Sequence, residues 1–252
     1  MSAGEVVPAI ILRTRPLGDA DLLVILLSRA HGKLETAAAR ARGSKRRFAG
    51  GLHPGMVGEA TVARGRGALL RLSGFTATRS HAPVGEDLRR FAFVAYVCEL
   101  CDELVLPRQE DPRVYAEVER SLAALIEGAP KPAELRRFEL ALLDCLGLLP
   151  TFERCCVCAG PLAGEAIAFD GLRGGALCPD HDSGAPRIAA EVLGLAAGLV
   201  DGGPERVDEA QAAPPAIRRA LRDLSIGLLR LHLRRPLRSL VFLAQLPQAP
   251  TG

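Results

Sequence analysis

Two short cysteine-bearing half-sites constrain this chain more than any other feature. Cys155 and Cys158 stand in a C-x-x-C spacing, and Cys178 and His181 repeat it as C-x-x-H after a Gly-rich interval. Ala159-Gly160-Pro161 follows the first half-site and Gly174-Gly175 precedes the second, so each reads as a tight knuckle. Three sulfurs and one imidazole are a tetrahedral zinc set. Four protein ligands leave no open position, which predicts one structural Zn2+ per chain and no metal catalysis. Cys156 is a spare thiol that could replace Cys155 as ligand, although Cys156 and Cys158 are one residue too close for the usual knuckle. Phe169 stands between the half-sites as a candidate cover.

The chain has 252 residues, 48% hydrophobic and 24% charged, which predicts a folded core. Seven cysteines without a secretion signal predict a reducing, cytoplasmic setting. No apolar run reaches the ~20 residues that cross a bilayer, so no membrane role is expected. The net charge of +3 is unevenly spread. Residues 1–80 hold 13 Lys/Arg against 5 Asp/Glu, and the remainder holds 19 against 24. A basic first third predicts a polyanionic partner.

That first third reads as strands at 6–12, 21–28, 33–40, 55–63 and 68–78, with Gly-rich turns between them. Five short strands fit a closed barrel of the OB type, a frequent oligonucleotide binder. Between the third and fourth strands, Arg40, Arg42, Lys45, Arg46 and Arg47 crowd into eight positions, and Phe48 follows. Cations on a flexible loop track phosphates without reading bases, and one aromatic can stack on a base. Arg13, Arg15, Lys33 and Arg66 are second-rank candidates for the same role.

After residue 80 the period becomes helical, at 88–104, 114–126, 133–146, from about 186 to 202, and 216–233. Residues 203–215 read as a surface linker and 239–246 as an apolar tail. The expected domains are 1–80 and 81–252, with the zinc insertion at about 152–184. The expected fold class is α+β multidomain, an OB-type β-barrel packed on an α-helical domain. Cys98 and Cys101 share one apolar helix face and read as core thiols. No phosphate-binding loop G-x-x-x-x-G-K-[ST] and no G-x-S-x-G occurs, so neither a nucleotide cofactor nor an enzymatic activity is expected. The rival readings are a thiol oxidoreductase using Cys98/Cys101 or Cys155/Cys158, and a zinc-stabilised adaptor that binds protein only.

Several stretches carry a family resemblance. Arg15-Pro16-x-Gly18-Asp19-x-Asp21-Leu22, His31-Gly32-Lys33, the basic segment ending Lys45-Arg46-Arg47-Phe48-Ala49-Gly50, and Gly65-Arg66-Gly67 resemble the N-terminal domain of the RecO family. PAELRRFELALLDCLGLLP, the knuckle, and RRPLRSLVFL follow in the order that family has them. That family often has a fourth cysteine where this chain has His181. The resemblance implies a mediator of DNA repair and recombination. It would bind single- and double-stranded DNA and anneal complementary strands without ATP. With RecR it would help load RecA onto strands coated by single-strand-binding protein. The acidic C-terminal tail of that coating protein is the second implied protein partner, and the nucleoid the implied location. An acidic tail ending in an apolar residue and a free carboxylate needs cations at the mouth of an apolar pocket. Arg136, Arg137, Arg218 and Arg222, on two helices of the second domain, are the candidates.

Overall fold

The computed structural model describes residues 4–44, 46–48, 50–65, 69–182 and 184–246. Strands β1 (Glu5–Leu17), β2 (Asp21–Ser28), β3 (Gly32–Ala38), β4 (Val57–Ala63) and β5 (Leu70–Ala77) close a barrel in the order β1-β2-β3-β5-β4. Neighbouring strands run antiparallel except at β3 and β5, which pair in parallel. Alternate residues point inward: Val7, Ala9 and Ile11 from β1, Val24 and Leu26 from β2, Leu34 from β3, Ala60 and Val62 from β4, Leu72 and Phe75 from β5.

The outward residues Ile10, Leu12, Leu23, Ile25 and Leu27 are buried as well. One wall of the barrel is therefore covered on both faces, which is why Leu22–Leu27 reads as an unbroken apolar run. Helix α2, which follows the short α1 (Ala82–Glu86), covers β1 there. Asp87 caps α2 (Leu88–Leu104) by accepting from the N–H groups of Arg89 and Arg90 at 2.8 and 3.1 Å. Asp111 caps α3 (Pro112–Glu127) in the same way, with Pro112 at the first helical position.

The chain continues through α4 (Pro132–Cys145), β6 (Ala166–Asp170), β7 (Gly175–Leu177), β8 (Arg187–Ala189), α5 (Ala190–Val200), α6 (Pro204–Ala212), α7 (Pro215–Arg230) and α8 (Arg238–Gln245). Three expectations need correction. The helix expected from Pro186 starts at Ala190, because residues 187–189 pair with β6 first. The expected linker 203–215 is mostly helix α6, which Pro204 starts and which buries Val207 and Ala210. Two buried residues are too few to show a periodicity. The apolar tail is helix α8.

The chain divides into two compact units. One comprises the residues up to Pro130 together with those from Arg235 onward, and the other is Lys131–Arg234. The expected boundary at 80/81 marks the change from strands to helices, whereas packing keeps α1, α2, α3 and α8 with the barrel. Glu99 on α2 shows how α8 is held: its carboxylate accepts from the N–H groups of Arg238 and Ser239 at 3.1 and 2.8 Å, capping a helix far away in sequence.

Candidate nucleic-acid interface and metal centre

The segment after β3 is tied down at several points. Arg40 adopts a left-handed conformation (φ 51°) and its N–H donates to Asp21 Oδ1 at 2.8 Å. The Arg42 N–H donates to the Ala20 carbonyl at 3.2 Å, and its guanidinium to the Asp19 carbonyl at 3.1 Å. Arg47 Nη2 donates to the Ala39 carbonyl at 2.7 Å. Ala41 and Phe48 are part of the barrel core. Phe48, expected to stack on a base, is only 2% exposed, and its ring carries the Arg47 guanidinium 5.2 Å from its centroid.

This anchoring holds charge at one barrel end. Arg15 near the end of β1, and Arg40, Arg42, Arg46 and Arg47 after β3, are exposed. Among the described residues none of the five has an ion-pair partner. Lys45 and Arg66 lie outside the described residues. Ladder pairs Arg15↔Leu23, Leu23↔Ala37 and Ala37↔Arg71 run across four strands, so exposed Arg71 shares the outer row with Arg15. Sequence reasoning misses Arg71, although a cation beside inward Leu72 in an alternating strand was the available signal.

The remaining barrel candidates are engaged. Arg13 Nε lies 3.1 Å from Asp102 Oδ2. Lys33 donates to the Asp102 carbonyl and lies 3.5 Å from Oδ1, with 10% of its side chain exposed. Lys33 is thus a buried anchor to α2 and is not presented to a ligand.

The two helix pairs expected to receive a partner tail separate equally clearly. Arg137 is 1% exposed, with Nε 2.7 Å from Glu134 Oε1. Arg136 is also buried and pairs with Glu139 at 2.5 Å, and Glu139 accepts from Ser225 Oγ of α7. Both arginines are buried within the second unit, Arg136 beside the Glu139–Ser225 contact of α4 with α7, so neither stands at a surface pocket mouth. Arg218 donates to the Gln211 carbonyl at 3.0 Å, tying α7 to α6. Arg222 is exposed beside Asp223.

The metal centre is assembled from both half-sites. The hairpin β6–β7 carries the second to the first: the Cys156 N–H donates to the Ala176 carbonyl at 2.8 Å, and the Ala176 N–H to the Thr151 carbonyl at 3.0 Å. Gly175 has φ 133°, and a Cβ there would meet the Thr151 oxygen at 2.2 Å, so a glycine is required. The Cys155 knuckle closes through left-handed Ala159, whose N–H donates to the Cys155 carbonyl at 2.8 Å. The Sγ and Nδ1 atoms of Cys155, Cys158, Cys178 and His181 all lie within 4.8 Å of one another. Cys158 Sγ is 3.8 Å from Cys178 Sγ, and His181 Nδ1 is 3.7 Å from Cys155 Sγ and 3.1 Å from Cys178 Sγ. Tetrahedral edges around an ion with sulfur at ~2.3 Å and nitrogen at ~2.0 Å are roughly 3.5–3.8 Å, so the donor set could hold one metal ion. The N–H of Cys178, with those of Cys158 and Val157, pulls the Cys155 thiol down to about 6, toward the thiolate that a metal binds. Cys156 is not among the four. Phe169 is buried and stacks on Phe152 at 5.9 Å.

Cys98 and Cys101 are buried, and burial pushes both thiols up, Cys98 to about 12. This shift runs away from the thiolate that thiol chemistry needs. Among the described residues no helix is long and apolar enough to cross a membrane.

Comparison with known proteins covers nearly the whole chain. The family model described as Recombination protein O N terminal matches residues 1–81, and that described as Recombination protein O C terminal matches residues 85–240. The DNA repair protein RecO of Myxococcus xanthus (strain DK1622) is 36% identical over 94% of this chain and 96% of its own length. The protein of that name from Anaeromyxobacter sp. (strain K) is 36% identical over 94% of each chain, and that of Symbiobacterium thermophilum 35% identical over 78% of this chain and 79% of its own.

Proposed function

Because this chain belongs to the RecO family and so has a role in DNA repair and recombination, we propose that it binds single- and double-stranded DNA at the arginine-bearing end of the barrel and anneals complementary strands without ATP. The observation that carries this is the set of Arg15, Arg40, Arg42, Arg46 and Arg47, exposed together with no ion-pair partner among the described residues. Such cations replace the counterions of a phosphate backbone, and their contribution is blind to sequence. Two strands brought to one cationic surface repel each other less, and base pairing then supplies the specificity. No nucleotide hydrolysis is required, and the protein is read as a non-enzyme.

In the cell the partners are RecR, and RecA loaded onto strands coated by single-strand-binding protein, whose acidic tail is received on the helices of the second unit. Exposed Arg222 is the residue there that supports this reading. Cys155, Cys158, Cys178 and His181 would hold one structural Zn2+, which would clamp the excursion between α4 and α5 and take no part in chemistry. This reading puts the protein in the cytoplasm, at the DNA.

A fluorescent oligonucleotide titrated at several salt concentrations tests the main claim. Changing Arg42, Arg46 and Arg47 together to Ala weakens binding of all sequences alike. It also flattens the slope of log K against log salt by ~0.7–0.9 for each phosphate no longer neutralised. An unchanged slope would put the DNA elsewhere.

A further inference from the structure

At the other end of the barrel, β3 and β5 diverge and leave a cavity of about 380 Å³. This lies within the size range of small-ligand sites, roughly 300–1,000 Å³. Its walls are Leu34, Val62, Ala63 and Leu70, and its rim carries Arg64, Arg108, Glu110, and Glu5 with His31. His31 Nε2 is 3.0 Å from Glu5 Oε1. Among the described residues neither Arg64 nor Arg108 has an ion-pair partner.

The rim is built under constraint. Arg108 has φ 58°, a conformation that costs a non-glycine residue free energy unless its surroundings hold it. They do so here. The Arg108 N–H donates to the Lys33 carbonyl at 2.9 Å, and Pro107 bridges to Lys33 in parallel, extending the sheet where β5 does not reach. Gly32, at φ 62°, lets this segment close in, because a Cβ there would lie 2.0 Å from the Gln109 oxygen. Two left-handed residues thus fix the backbone that carries Arg108 at the mouth of the cavity. Arg71 of the outer cationic row is next to this cavity along the strands: it directly follows Leu70 and pairs with Ala63, both of which line it.

We propose that this cavity takes one base of a single DNA strand whose backbone runs from the arginine end of the barrel past Arg71. The proposal rests on the DNA-binding reading above. A base offers an apolar face to Leu34, Val62 and Leu70. Its exocyclic amino or ring N–H groups find acceptors in the Glu5 and Glu110 carboxylates. Arg64 and Arg108 meet the phosphates on either side. Single-strand sites on barrels of this type span ~4–16 nucleotides, enough to join the two ends.

The test compares a thymidine 12-mer with an abasic 12-mer of the same charge, by fluorescence anisotropy on the full chain. The wild type binds the base-bearing strand about tenfold or more tighter. Arg64→Ala with Arg108→Gly removes that preference, and glycine suits the left-handed backbone at position 108, so the fold is spared. Ala63→Trp, which fills the cavity, does the same by another route. Equal affinity of the wild type for both strands overturns the proposal, as does a preference that survives in both variants. Full displacement of the 12-mer by micromolar thymidine monophosphate overturns it in favour of a free-nucleotide site. If the wild type binds neither strand, the DNA reading fails with it. If only the Arg42, Arg46 and Arg47 substitutions weaken binding, that reading stands and the cavity is not part of it.

Discussion

Lys33 leaves the outer face of β3 and ends on Asp102 of α2, donating to its carbonyl and lying 3.5 Å from Oδ1, with 7% of the aspartate side chain exposed. Asp102 also meets Arg13, 3.1 Å away, so Lys33→Ala leaves it one cation and removes the buried charge-assisted hydrogen bond from Lys33. The loss should be about 1–3 kcal/mol of stability. The urea midpoint reads this. Lys33→Met with Asp102→Leu should recover most of the loss, since two apolar residues leave no buried charge. The salt slope of DNA binding should not move in either variant. A flattened slope without destabilisation would return Lys33 to the phosphate-binding set.

Glu117 on α3 sets a pH dependence. Burial pushes its carboxyl up to about 7, against the pull of Arg120 and Ser121. The unfolded chain releases this proton near the ordinary carboxylate value, whereas the folded chain keeps it until about pH 7. The unfolded state thus binds fewer protons between those values, and stability falls as pH rises through that window, then levels off. The loss amounts to about 2–3 kcal/mol. Glu117→Gln should be more stable than the wild type at pH 8 and nearly equal to it at pH 4.5. An identical pH profile for the two proteins would show that Glu117 does not titrate in this range.

Elemental analysis of the purified protein should find about one zinc per chain. Cys178→Ser should lose it and expose residues 151–189 to proteolysis, since metal binding and folding of such a clamp are one equilibrium. Cys156→Ser should keep it, because Cys156 Sγ is not among the four clustered donors. Metal retained in Cys178→Ser would mean that a different set holds it.

Arg137 and Arg222 should respond in opposite ways. Arg222→Ala should lower the affinity for a peptide of the coating protein's acidic tail by about 1–3 kcal/mol and leave the melting temperature unchanged. Arg137→Ala should instead lower the melting temperature, because it removes the cation that meets Glu134 in the interior. Peptide affinity unchanged in Arg222→Ala would move the tail's receptor off α7.

Local pattern was enough to read several parts of this protein. Five short apolar strands with Gly-rich turns between them mark a barrel because segments that short, with no helical period, bury their apolar side chains only by pairing in a sheet. The two half-sites name all four clustered donors because a C-x-x-ligand turn places both groups on one side of a tight loop. The fate of each charge was not legible. Arg40, Arg42, Arg46 and Arg47 look like Lys33, Arg136 and Arg137 in sequence, yet among the described residues the side chains of the first four have no ion-pair partner, whereas the last three are buried against carboxylates. That outcome depends on which carboxylate the folded chain presents at the right height: Asp102 from a distant helix for Lys33, Glu139 one turn along α4 for Arg136. Phe48 likewise follows a basic run, but the barrel interior offered it more apolar surroundings than any surface could. The return of α8 to the first unit rests on Glu99, some 140 residues earlier. Composition and spacing determined the elements and the donor set, because those are set by neighbours a few residues away. Which cations face solvent was decided by tertiary packing, because burying a charge is tolerated only where the fold brings a partner to meet it.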